Sequence, residues 1–107
     1  MRIFNPKSSG ASIEYAVDYA GPTPDLLTGE TLVSIYSTSF TVLSGTPDPN
    51  IGSMPSGAPQ IKGTKVVQLF TGGITGNRYA WEVLALTSLG RIIDQGGILT
   101  ITPAYLQ

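Results

Sequence analysis

The chain has 107 residues, with no cysteine, no histidine, six basic and seven acidic residues, and a formal net charge of -1. That length is one domain around one core; without cysteine there is neither a disulfide framework nor a thiolate metal site, and without histidine the usual general base and triad partner is missing. Charged residues make up 12% of the chain, about half of the usual ~25%, which fits a protein whose surface is partly covered by neighbours.

Residues 1–11 hold Pro6 and Ser8-Ser9-Gly10 and read as an N-terminal arm without a strand pattern of its own, able to dock on a neighbour. Ser12 to Ala20 alternates cleanly, with Ile13, Tyr15, Val17 and Tyr19 on one face, which predicts a strand. Gly21-Pro22-Thr23-Pro24-Asp25 ends it, because proline removes ladder donors. Thr31 to Ser37 follows with ambiguous parity, as in a strand covered on both sides, and Ser39 to Leu43 continues it or forms a further short strand. Residues 44–60 carry four prolines and three glycines and predict a long exposed loop with no regular element. Gly63 to Phe70 reads as a strand apolar on both parities, and Gly72 to Asn77 as a glycine-rich turn.

The hairpin that follows is the part specified on both arms. Tyr79, Trp81, Val83 and Ala85 share one parity, so Trp81 is expected in the core. Ser88 and Leu89 suit the centre of a turn, and Gly90 can supply the positive φ that such a hairpin needs. The return arm starts at Arg91, with Gly96-Gly97 predicting a bulge or bend, and Leu99 and Ile101 resuming one face before a C-terminal tail at 103–107. The sum is an all-β antiparallel sandwich over residues 12–102, immunoglobulin-like, with six to seven short strands.

Glu14 and Asp18 share a strand face but lie roughly 13 Å apart, too far for paired carboxylates at work on one bond. Asp48 with Asn50 is too thin for a calcium loop, and the glycines at 72–76 lie between strand patterns, where no helix N-terminus stands ready for phosphate. The expectation is no catalytic residue, no metal and no cofactor. Arg2, Lys7, Lys62, Lys65, Arg78 and Arg91 are scattered and give no footprint for nucleic acid; Lys62 and Lys65 with Arg78 read as edge guards or a local patch. No run approaches the ~20 apolar residues of a membrane span. A sugar-stacking platform of Tyr15, Tyr19, Tyr36, Tyr79 and Trp81 competes with the plainer reading that most of these rings are core.

One end of the hairpin breaks the alternation. The outer parity Ala80, Glu82 continues as Leu84 and Leu86, and Leu89, Ile92 and Ile93 extend the same end. Exposed apolar clusters of this kind mark contact surfaces, which makes these five residues the candidate protein–protein interface; the alternative is that residues 44–60 fold over them.

Two segments together resemble a family of small tailed-bacteriophage virion proteins described as fibre-tail adaptors. Ile13-Glu14-Tyr15-Ala16-Val17-Asp18-Tyr19 is similar to the family's opening strand. Gly72-Gly73-Ile74-Thr75-Gly76-Asn77-Arg78-Tyr79, then Thr87-Ser88-Leu89-Gly90-Arg91 and Leu99-Thr100-Ile101, follow at family spacing. Gly29-Glu30-Thr31-Leu32 and Ser39-Phe40-Thr41-Val42 add to the likeness, while Tyr19 and Phe40 stand where tryptophans are usual, Leu43 where proline is, and 44–60 is longer. The resemblance implies a non-enzymatic immunoglobulin-like virion protein, made in the host cytoplasm and present in several copies at the neck or tail. There it would tie fibres or neighbouring virion proteins to the particle, with no nucleic acid or membrane as partner. A capsid decoration protein is the second reading, and a carbohydrate-binding module of a fibre the third.

Overall fold

The computed structural model describes residues 2–20 and 26–103. Its strands, in chain order, are β1 (Arg2–Ile3), β2 (Ser12–Asp18), β3 (Leu32–Ser44), β4 (Pro55–Lys62), β5 (Lys65–Thr71), β6 (Arg78–Thr87) and β7 (Ile92–Thr100), with one turn of 3-10 helix at Ile51–Ser53 before β4. One sheet runs β1-β7-β6-β3 and the other β2-β5-β4. All neighbours are antiparallel except β1, which lies parallel to β7. The orders β2-β5-β4 and β3-β6-β7 are those of the B-E-D and C-F-G strands of an immunoglobulin domain, so the expected β-sandwich is what the chain forms.

Its centre is a set of rings. Tyr15, Phe70, Tyr79 and Trp81 are buried with Val17, Val66, Val83, Leu99 and Ile101. Trp81 meets the edge of Phe70 at 5.2 Å between centroids and Phe4 at 6.0 Å. In antibody domains the residue two after the strand-F tyrosine is a disulfide cysteine; here Tyr79 is followed at that distance by Trp81, and ring packing takes the place of the missing bridge. Tyr79 also keeps the tyrosine's corner role, its hydroxyl accepting from the Ile74 amide at 3.0 Å and donating to Asp48 at 2.7 Å. Tyr19 is wholly buried and donates to the Val83 carbonyl at 2.7 Å.

The structure departs from the sequence reading in four places. The N-terminal arm docks on its own domain: β1 pairs with β7, Phe4 enters the core, and Lys7 is buried with its ammonium donating to the carbonyls of Ser8 and Gly72 at 2.7 and 2.6 Å. Burial lowers the Lys7 pKa. Gly96-Gly97 is not a bulge, since β7 keeps register with β6 through both residues. Gly97 is needed because a Cβ there would collide with the Phe4 ring. Residues 55–60, inside the expected loop, belong to β4, which tolerates Pro55 and Pro59 because it is an edge strand whose register shifts between Ser56 and Gln60. Finally, β3 is not covered on both sides; it is an edge strand whose parity is reset by irregularities around Val33, Tyr36 and Leu43. The predicted break at 21–25 and most of the tail at 103–107 lie outside the described residues.

Candidate functional site

On β6 the inner row Tyr79, Trp81, Val83, Ala85 is buried, and the outer row Ala80, Glu82, Leu84, Leu86 is half-buried. Leu84 lies across from Asp94 on β7 and Ser37 on β3, while Leu86 lies across from Ile92 and Ser34. The outer face therefore turns apolar only toward the β6–β7 turn. There Leu89 is 60% exposed and Ile92 48%. Ile93 is placed differently: it pairs with Ala85 on the inner parity and packs against the core.

The turn itself is built by hydrogen bonds. Gly90 adopts φ +77, the conformation only glycine takes at little cost. Its amide donates to the Thr87 carbonyl at 3.0 Å, and the Thr87 amide donates to the Arg91 carbonyl at 2.9 Å. The Thr87 hydroxyl accepts from the amides of Leu89 and Arg91 at 3.3 and 3.2 Å and donates to Glu30. Glu30, whose side chain is fully buried, also accepts from the Leu27 amide at 2.9 Å and from the Arg91 guanidinium through two nitrogens, Nε at 3.0 Å. These hydrogen bonds, those from Arg91 first, hold the Glu30 carboxyl down at a pKa of about 2 against the opposing effect of burial. A second pair of bonds, from the Ser88 amide to the Thr31 carbonyl at 2.9 Å and from the Thr31 amide to the Ser88 hydroxyl at 3.0 Å, ties the same two segments.

This clasp brings residues 26–31 beside the turn and adds two apolar residues that the sequence reading left out of the cluster. Leu27 is exposed next to Glu30, and Val33 is exposed at the irregularity between Leu32, which faces Thr87, and Ser34, which faces Leu86. No local pattern announces either one, because the contact that places them joins residues 61 apart in the chain. Residues 44–54 do not cover the cluster. They lie at the other end of β6, where the Asn77 side chain binds the Thr46 amide and carbonyl at 2.9 and 2.7 Å.

The other candidates resolve plainly. Tyr15, Tyr19, Tyr79 and Trp81 are buried and only Tyr36 of that group is exposed, so they form no sugar-stacking platform. Lys62 and Lys65 face each other at the β4–β5 turn, whereas β5 runs from Lys65 away to the turn that begins β6 at Arg78; the three do not form a patch. Among the described residues no group of three or more Asp or Glu side chains is placed to hold a metal, and no helix is long and apolar enough to cross a membrane.

No curated protein matches the chain. A family described as podophage GP4 fiber-tail adaptor protein gp77 matches residues 7–100, a span that takes in every strand but β1 and both halves of the Glu30–Arg91 clasp. With a sandwich braced so that one end presents apolar side chains, and a family match over most of its length, the chain belongs to this family of phage fibre-tail adaptors, structural components of the virion tail.

Proposed function

We propose that the protein sits in several copies at the neck or tail and attaches fibres or neighbouring virion proteins through its β6–β7 end. Leu86, Leu89 and Ile92 form the centre of that contact, Leu84 and Leu27 flank it, and Asp94 and Arg91 supply a polar rim of the kind that surrounds apolar interface centres. The observation that carries this reading is the clasp: a buried carboxylate with four donors holds the turn, while Leu27, Leu89 and Ile92 at the same end stay in solvent. Ordering a surface before contact lowers the entropy lost on binding. Replacing Leu86 and Leu89 by Ser is expected to leave the isolated domain folded and to abolish its incorporation into phage particles, measured by quantitative mass spectrometry of purified virions. Normal incorporation of the double variant moves the contact elsewhere. Cryo-electron microscopy of the particle is expected to find the chain at the neck or tail; density on the capsid lattice instead would make it a decoration protein.

A further inference from the structure

A connector between two bodies needs a second surface, and the four sheet edges differ in how they are protected. β1 is two residues long. β2 carries Glu14 and Asp18, and β4 carries Pro55, Pro59 and Lys62; short length, charge and proline are the usual guards against strand addition. β3 has thirteen residues and none of these, and from Thr31 to Pro47 the chain holds no charged residue. Its only guards are the irregularities, and between the second and third of them Ser37–Val42 runs in unbroken register with β6. Among the described residues no strand lies beside the backbone amides and carbonyls along the outer side of that run.

The run leads into an open groove of about 530 Å³ between the end of β3 and the segment that follows it, lined by Phe40, Val42, Leu43, Pro47 and Ile51. Its one charged neighbour, Asp48, is already engaged by the Tyr79 hydroxyl at 2.7 Å and the Asn50 amide at 2.9 Å. β3 itself offers a cationic or acidic segment no charged partner along this edge; Glu82, opposite Ser39, lies one strand further in. An uncharged extended strand finds backbone groups to pair with and an apolar recess for a side chain, which is how strand-addition sites divide affinity from specificity. A second copy of β3 fits less well. Each irregularity adds local twist, so two such edges laid together diverge beyond the short regular run, whereas a free strand follows one twisted edge.

We propose that Ser37–Val42 is a strand-addition site that takes an uncharged extended segment of a fibre or tail protein, with one apolar side chain of that segment seated between Phe40, Leu43 and Ile51. The proposal takes only the source of the strand from the adaptor reading, and it does not use the β6–β7 end.

The test uses the isolated full chain and overlapping synthetic peptides that tile the tail and fibre proteins of the same phage. An uncharged peptide is expected to protect alternate amides from Ser37 to Val42 against hydrogen exchange, read by NMR, because only the outward-facing amides gain a partner. Leu43→Lys is expected to weaken that peptide by about tenfold or more without lowering the thermal midpoint, since Leu43 is half exposed. Leu86→Ser with Leu89→Ser is expected to leave peptide binding unchanged even where it abolishes incorporation, so the two surfaces can fail separately. The proposal is overturned if no peptide binds, if protection falls on the β6–β7 end, if Leu43→Lys binds normally, or if sedimentation shows the chain pairing with itself through β3.

Discussion

The two ends of β6, roughly 30 Å apart for ten residues at about 3.3 Å each, are both organised by a buried polar side chain, yet they finish differently. At the Arg78 end Asn77 binds Thr46 on both sides, Tyr79 holds Asp48, and Met54 is buried beneath the segment they anchor. At the Thr87 end Glu30 gathers Leu27, Thr87 and Arg91, but Leu27, Leu89 and Ile92 stay outside. One polar anchor holds a loop that walls a recess beside β3; the other stiffens a turn that displays aliphatic side chains. Order alone therefore does not fix what an end of the sandwich shows to solvent. What distinguishes the two ends is where the large aliphatic side chains point once the backbone is held.

The largest perturbation should erase the comparison. Trp81 is buried midway along β6 among Phe4 and Phe70, and Trp81→Ala is expected to cost about 3–5 kcal/mol, destabilising both ends together in chemical denaturation. A variant of unchanged stability would contradict its place in the core. A smaller change should separate the ends. Asn77→Ala leaves the Thr46 amide and carbonyl without their partner and is expected to cost about 1–3 kcal/mol, with faster amide exchange across 45–54 and no such change at 87–91. Faster exchange at 87–91 as well would mean that the two ends are not braced independently.

The smallest expected effect is acid sensitivity confined to the β6–β7 end. Glu30 titrates at about 2 in the folded protein, against about 4.3 for a free glutamate. A depressed carboxyl contributes stability that is fully present above the unfolded value and is lost as pH falls toward the folded one. The gap in thermal midpoint between the wild type and Glu30→Gln is therefore expected to be widest above about pH 4.3 and to close as pH approaches about 2. Amides at 87–91 should lose protection in the same window, and a gap that does not change with pH would place the stabilising effect outside this carboxylate.

What the sequence determines by itself is whatever one strand and its turn specify locally. Alternation in Ser12–Ala20 and Tyr79–Ala85 yields β2, β6 and a buried Trp81 because side-chain direction has a period of two wherever a strand exists, and Gly90 marks its turn because few residues accept φ +77. The run Leu84, Leu86, Leu89, Ile92 is legible as a break in that alternation, while Ile93 is not separable from it, since a turn shifts parity by an amount that only the pairing reveals.

Tertiary structure decides what depends on a partner far along the chain. Pro55 and Pro59 suit a strand only at a sheet edge, and Gly97 is required only because Phe4 arrives from the other end of the chain. Likewise the Glu30–Arg91 clasp joins residues 61 apart, and β3 looks two-faced in sequence because irregularities reset its parity against β6. A residue's period is written in its neighbours; its partner is selected by the fold, which is why β2 and β6 could be read from the chain, and β1, β4 and the bracing of the β6–β7 end could not.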